Sequence, residues 1–335
     1  MKIGLIGSGR IGHMHATTLR DLDGVDGLVV ADVDQGRAED LARQLDIDAA
    51  LDADAVLASG VDGVVITAAT SAHAELIHSA FDAGIPTFCE KPVALDVAGT
   101  REVVAHSERS GVPLQIGFQR RFDAGYLAAR EALRSGSLGW LHTLRAVTAD
   151  ATPPPAAYIP TSGGLFRDCG IHDFDILLWL TGRDVVSVYA LGANRGADIF
   201  TVSGDVDTGA ALLRFDDGAL ATVTLTRYNG IGHDVRLEVC GSQGAMFVGH
   251  DERAPMPSAE AGISWPSGEP YQTFMERFHD AYLAEMRRFL DVVAGRAASP
   301  CSAADALAAL YVAEACERSR HEARPVELAE VRAAA

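Results

Sequence analysis

Over the first third of the chain, short apolar runs alternate with stretches whose apolar residues recur at helical spacing. Residues 2–6, 27–31, 63–67, 87–89 and 114–117 read as strands. Between them the 3.6-residue period predicts helices up to about residue 22 and over 35–45, 72–83 and 97–110. Runs that are apolar throughout suit strands buried on both faces, and strands alternating with helices imply βαβ units. Residues 1–118 are therefore expected to form an α/β domain with a doubly wound parallel sheet.

The pattern changes over residues 119–335. A helix is predicted over 123–135 and a long strand over 140–150. Residues 152–164 read as a loop, with Pro153-Pro154-Pro155 and Gly163-Gly164 as breakers. A helix over 168–180 is closed by Gly182. Strands at 185–191, 209–215, 220–226 and 235–240 then follow with short turns, Asp216-Asp217-Gly218 being a hairpin signal, and 245–248 extends the set. Helices at 271–294 and 302–321 close the chain. The expectation is an α+β domain with an open, mainly antiparallel sheet.

Composition narrows the function classes. The chain has 28 Lys and Arg against 46 Asp and Glu, a formal net charge of −18. Nucleic-acid binding needs a basic stripe, and an anionic membrane surface needs the same sign, so neither partner is expected. No apolar run is long enough to cross a bilayer, and the N-terminus lacks a signal-peptide pattern. A cytoplasmic protein is expected. Five cysteines without a C-x-x-C pair fit reduced thiols and give no zinc spacing.

Gly7-Ser8-Gly9-Arg10-Ile11-Gly12 fits G-x-G-x-x-G between a predicted strand and a predicted helix. Gly7 permits the tight turn, Gly9 lets backbone approach a pyrophosphate, and Gly12 allows close helix–strand packing. Asp32 closes the second strand 20 residues after Gly12. An acidic side chain there accepts hydrogen bonds from the adenosine ribose and repels a 2′-phosphate, as does Asp34, so NAD is favoured over NADP. The competing reading is a glycine turn in another kind of α/β domain, and FAD uses the same fingerprint.

Three further segments carry candidate chemistry. Glu90-Lys91-Pro92 ends the fourth strand, at the sheet edge where doubly wound folds bind ligands. A lysine there can hydrogen-bond a substrate hydroxyl; a surface Lys-Pro turn is the alternative. Asp168, His172 and Asp175 fall at helical spacing on one face. A histidine flanked by carboxylates can act as a general base near neutral pH. A helix-terminal Asp with a core His is the plain alternative, and a metal site is a weaker one because hydride chemistry needs no metal. Arg120 and Arg121 lie between the two parts; one can bind substrate or cofactor and the other form a structural ion pair.

Together these segments resemble the Gfo/Idh/MocA family of dehydrogenases, and within it the inositol 2-dehydrogenases. The residues that carry the likeness are Gly7 to Gly12, Asp32, Glu90-Lys91-Pro92, Gly117-Phe118-Gln119-Arg120-Arg121-Phe122-Asp123, Gly163-Gly164-Leu165-Phe166-Arg167-Asp168 and His172-Asp173-Phe174-Asp175. The likeness implies a Rossmann domain and a catalytic trio of Lys91, Asp168 and His172. His172 would take the hydroxyl proton, Lys91 would hydrogen-bond the reacting oxygen, and Asp168 would orient His172. Cofactor contacts would come from Gly7, Gly9, Arg10, Ile11, Gly12, Asp32, Thr67, His73, Glu90 and Lys91. Substrate contacts would come from Arg120, Asp150, Asp168, His172, Asp175 and His233. It also implies a homodimer or homotetramer, formed through the exposed sheet face.

The chain departs from the family pattern in two places. Ala149-Asp150-Ala151 stands where members acting on myo-inositol often carry Arg-Asp-Pro or Arg-Asn-Pro. Ile231-Gly232-His233-Asp234 stands for Tyr-Gly-Tyr-Asp, losing two phenols and gaining an imidazole. A buried polyol needs a partner for nearly every hydroxyl, so these changes bear on which isomer fits. The expected function is NAD-dependent oxidation of a secondary hydroxyl of a cyclic polyol, myo-inositol or a related inositol or sugar. An NAD(P)-dependent sugar or aminocyclitol keto-reductase is the alternative enzyme. A non-catalytic dinucleotide-binding regulator is the alternative of another class.

Overall fold

The computed structural model describes residues 1–334. Two compact units are formed: Met1–Gln119 with Tyr282–Leu307, and Arg120–Ala281 with the residues from Ala308 on. In chain order the elements begin β1 (Lys2–Ile6), α1 (Arg10–Arg20), β2 (Gly27–Ala31), α2 (Gln35–Leu45), β3 (Asp48–Ala49) and α3 (Ala53–Ala58). β4 (Gly63–Ile66), α4 (Thr70–Asp82), β5 (Thr87–Glu90), α5 (Val97–Ser110) and β6 (Leu114–Gly117) follow. Next come α6 (Ala124–Arg134), β7 (Leu141–Ala149), α7 (Ile171–Thr181), β8 (Val185–Ala193), α8 (Ile199–Val202), β9 (Thr208–Phe215) and β10 (Leu220–Thr226). The chain ends with β11 (Asp234–Gly241), β12 (Gly244–Val248), α9 (Phe274–Arg277), α10 (His279–Val293), α11 (Ala303–Glu322), β13 (Val326–Glu327) and α12 (Leu328–Ala334).

The first unit holds a six-stranded parallel sheet in the order β3-β2-β1-β4-β5-β6. The order reverses between β1 and β4, which opens a crevice at the carboxyl ends of those strands. Successive side chains point to opposite faces. Ile3, Leu5, Val30 and Val65 pack on one face with Leu19, Leu41 and, from α10, Met286, Phe289 and Leu290. Ile6, Val29 and Val64 pack on the other with Val56 and Ala80. Asp34, Asp52 and Asp96 cap α2, α3 and α5 by accepting a first-turn N–H, so these helices start where a carboxylate can serve their unpaired donors.

Tyr282–Leu307 thus supplies part of the first unit's core, whereas a division at 118/119 places it with the second part. Its helical period reveals an apolar face but not the surface that face covers. β3 and α3 are too short to leave a periodic signal.

The second unit holds a seven-stranded sheet in the order β12-β11-β7-β10-β9-β8-β13. It is mainly antiparallel, as the alternation implies, but β7 and β10 pair parallel. Leu144, Ala146, Val188, Leu213, Val223 and Leu237 fill its buried face. Tyr189, Leu191, Leu212 and Leu220 stand exposed on the other, with Tyr189 opposite Leu212. The single helix expected over 271–294 is broken at Phe278 into α9 and α10. No helix among the described residues is long and apolar enough to cross a membrane.

Candidate active site

In the first unit the glycine-rich turn joins β1 to α1. Gly7 has φ +106°, and a Cβ there would lie 2.5 Å from the Ala68 backbone nitrogen. A Cβ on Gly12 would meet the Gly7 carbonyl oxygen, so α1 can run this close to the turn only with glycine. Space above Gly9 is open, and no side chain caps the α1 N-terminus. Its N–H groups and dipole are therefore turned to an anion, which is the fit a dinucleotide diphosphate requires. Arg10 is exposed and Ile11 half-buried at the helix start. The Thr67 hydroxyl donates to the Gly7 carbonyl at 2.7 Å and holds the turn.

Asp32 reaches the same turn. Its Oδ2 accepts from the Ser8 N–H at 2.6 Å and the Ser8 hydroxyl at 2.9 Å, and Oδ1 accepts from the Asp34 N–H. Partial burial works against its charge, but these donors outweigh burial and hold the carboxyl below its ordinary value. A charged acceptor thus stands just beyond β2, beside the glycine turn. His73 is buried, with Nδ1 2.7 Å from the Pro92 carbonyl and Nε2 3.0 Å from the Ala68 carbonyl. It ties the turn after β5 to the end of β4. Lys91 and Glu90 are half-buried at the carboxyl end of β5, and His15 pairs with Glu90 at 2.8 Å.

In the second unit a polar group is assembled by the sheet register. β7 and β10 run parallel, with Ala149 beside Thr226, and β11 starts at Asp234 beside Ala149. The residues just beyond those ends therefore meet. The Arg227 guanidinium donates from Nη1 to Asp150 Oδ2 at 3.0 Å, and His233 Nδ1 lies 3.4 Å from Asp150 Oδ1. Burial alone would raise the Asp150 carboxyl; the His233 hydrogen bond and the Arg227 charge overcome it and hold the group low.

Asp168 joins this group from a π-helical turn, Phe166–Gly170, that leads directly into α7. Its Oδ1 accepts from the Tyr158 hydroxyl at 2.9 Å and its Oδ2 from Arg227 Nη2 at 2.7 Å. Arg227 Nη1 also reaches Cys169 Sγ at 2.7 Å. A Cβ on Gly170 would lie 2.9 Å from Leu225, so glycine lets this turn approach β10. Burial opposes the Arg227 charge, but Cys169, Asp168 and Asp150 around it raise its pKa, and it stays a cation. Burial and the Asp168 charge push the Tyr158 phenol well up, so it remains a donor.

The structure rearranges the expected set. Asp168 lies in the widened turn, so the α-helical spacing that put it on one face with His172 and Asp175 does not hold there. His172 is half-buried in the first turn of α7. Asp175, expected to bind substrate, is buried and accepts from Arg121 Nη2 at 2.6 Å and Nε at 2.9 Å. Arg120, expected to bind substrate, is buried as well: Nη1 donates to Asp173 at 2.6 Å and Nη2 to Thr148 at 2.9 Å. Both arginines are thus engaged in ion pairs within this unit. Arg227 and Tyr158 carry no sequence motif; Asp173 lies within the His172-Asp173-Phe174-Asp175 segment, but its pairing with Arg120 is not legible there. A lone Arg after a strand becomes informative only once β7 and β10 are known to be parallel neighbours.

Comparison with known proteins agrees with both halves. Residues 1–118 match the family described as an oxidoreductase family with an NAD-binding Rossmann fold, and residues 126–247 match the GFO/IDH/MocA C-terminal domain. The chain is 38% identical over 322 residues to a myo-inositol dehydrogenase of Streptomyces leeuwenhoekii, covering 95% of this chain and 97% of that one. It is 35% identical over 335 residues to a myo-inositol 2-dehydrogenase of Thermotoga maritima, covering 99% of each. The crystal structure of a scyllo-inositol dehydrogenase from Lactobacillus casei, with bound NAD(H) and scyllo-inositol, superposes with a TM-score of 0.87 at 28% identity, covering 98% of this chain and 99% of that one. Glycine turn, charged Asp32 and full-length likeness converge: the chain belongs to the Gfo/Idh/MocA family of NAD-binding oxidoreductases.

Proposed function

We propose that the protein oxidises a secondary hydroxyl of a cyclic polyol, an inositol or a related sugar, to the ketone. The observation that carries this reading is the polar group of Asp150, Asp168, Tyr158, Arg227 and His233, which offers several acceptors and donors to a ligand rich in hydroxyls. A polyol has to find a partner for each hydroxyl it removes from water. The relatives named above, which act on or bind inositols, support the class.

Bound NAD supplies the hydride acceptor. His172 takes the hydroxyl proton as general base. Lys91 hydrogen-bonds the reacting oxygen and favours its alkoxide. Asp168, held by Arg227 and Tyr158, is placed to accept a hydrogen bond from a neighbouring substrate hydroxyl. Asp150 and His233 are substrate contacts on the same grounds. Arg10, Ile11, Thr67, His73 and Glu90, with the three glycines and Asp32, make or shape the cofactor site.

We further assign the exposed face of the second sheet to contact with a second copy of the chain, as a dimer or tetramer. Tyr189, Leu191, Leu212 and Leu220 form an apolar surface there.

The test is NADH formation with a panel of cyclitols and aldoses, offered with NAD and with NADP. Turnover of an inositol with NAD supports the reading. Turnover of myo-inositol makes Ile231 and His233 tolerated changes; turnover of another isomer only places specificity at those positions. NAD binding without turnover of any polyol in either direction overturns it. Lys91→Ala and His172→Ala are expected to lower turnover by about a hundredfold or more while NAD still binds. Near-normal turnover in either removes that residue from the mechanism.

A further inference from the structure

Glu90 precedes Lys91 at the end of β5, and its carboxylate is enclosed from three other elements of the first unit. His15, from α1, places Nε2 2.8 Å from Glu90 Oε1. Glu285, from α10, brings a carboxylate oxygen to within 4.8 Å of both. On β6, a Cβ at Gly117 would fall 2.9 Å from Glu90 Oε2, so the carboxylate lies directly on the strand backbone. His15 and Glu285 are both fully buried. The His15 ring is held edge-on by Phe88, at 5.3 Å, and Tyr282, at 5.8 Å between centroids.

One histidine and two carboxylates this close are a possible ligand set for a metal ion, but the short contact favours a proton. Two ligand atoms bound at about 2.0–2.2 Å in a tetrahedral zinc site stand roughly 3.3 Å apart. The His15–Glu90 separation of 2.8 Å is that of a hydrogen bond, with the ring N–H donating to the carboxylate.

We propose that His15 and Glu285 are positioning residues: they fix the Glu90 carboxylate against β6 and thereby the backbone that carries Lys91. The proposal rests on the reading of Lys91 given above. Without the His15 donor, the Glu90 carboxylate loses the hydrogen bond that holds it beside a second carboxylate, and it turns out of its niche. That change loosens the end of β5. A displacement of about 1 Å at a reacting group can lower turnover by about a hundredfold.

The test uses the full-length protein and three variants. His15→Phe keeps a ring of similar shape and removes the N–H. His15→Gln restores a side-chain donor. Glu285→Gln keeps the volume and removes the charge. Two readouts are taken: hydrogen–deuterium exchange over residues 86–94, and kcat against KM for NAD. In His15→Phe, exchange in that segment is expected to rise at least about threefold and kcat to fall about a hundredfold, with KM for NAD within about threefold of wild type. His15→Gln is expected to recover at least about a tenth of wild-type kcat, and Glu285→Gln to lose about tenfold with raised exchange. Thermal melts identify a variant that fails to fold; if His15→Phe does, Glu285→Gln decides alone. Wild-type exchange and kcat in a folded His15→Phe or Glu285→Gln overturn the proposal. So does a stoichiometric metal in the purified protein that Glu285→Gln loses. If wild type turns over no polyol, the functional reading fails, yet the exchange readout still decides whether His15 and Glu285 hold the end of β5.

Discussion

Arg227 Nη2 and Asp168 Oδ2 are 2.7 Å apart, although the residues are 59 positions apart in the chain. The guanidinium that binds Asp168 also binds Asp150, so one buried cation serves both candidate substrate carboxylates. Removing one partner of a buried ion pair leaves the other charge uncompensated. Arg227→Met is expected to lower turnover by about a hundredfold or more, with NAD affinity in calorimetric titration changed less than about threefold. Arg227→Lys recovers only part, because a point charge cannot span two carboxylates and a sulfur. Full activity in Arg227→Met refutes the role.

Asp32 accepts two hydrogen bonds from Ser8 and one from Asp34, which keep it charged at the end of β2. That charge repels a ribose phosphate. Asp32→Ala is expected to shift the NAD-to-NADP ratio of kcat/KM toward NADP by about tenfold or more. An unchanged ratio places Asp32 away from the ribose.

Glu317, on α11, pairs with Arg320 at 2.8 Å, and its burial carries a cost that depends on pH. Its pKa is raised: burial is the largest cause, Arg320 and Arg167 oppose it, and Asp205 adds to it. The folded value lies above the unfolded one. The folded state therefore holds the extra proton between the ordinary Glu value, about 4.3, and the raised one. Stability contributed by this group is complete below that window and is lost as pH rises through it. Glu317→Gln removes the penalty and offers an N–H toward Asp205, whose Oδ2 is buried without a hydrogen bond. Its Tm is expected to exceed wild type by roughly 1–3 °C near pH 7 and to match it near pH 4. A gain at low pH that vanishes at neutral pH contradicts the assignment.

Leu191 and Leu212 project from β8 and β9 on the exposed face of the second sheet. A lysine at either position carries a charge that is costly to bury. On the proposal that this face contacts a second copy of the chain, Leu191→Lys and Leu212→Lys are expected to give a smaller species than wild type in light scattering with the far-UV spectrum unchanged. An unaltered mass in both places the subunit contact elsewhere.

Much of the first unit was readable in the amino-acid order, because local chemistry specifies it. The βαβ alternation, the glycine turn and Asp32 all lie within short stretches whose geometry depends on neighbours in the chain. The same holds for Glu90 and Lys91 at a strand end. In the second unit the residue types were legible but their partners were not. Arg120, Arg121 and Asp175 have the look of ligand-binding charges, yet their nearest opposite charges come from segments more than fifty positions away and take them into buried pairs. Arg227 has no motif and gains its place only because β7 and β10 run parallel, against the antiparallel habit of the rest of that sheet. The helix 282–293 shows an apolar face in sequence, and the tertiary fold alone decides that this face completes the first unit's core. Periodicity and turn chemistry are local and survive in sequence; charge pairing and the choice of packing surface are long-range, and only the folded chain settles them.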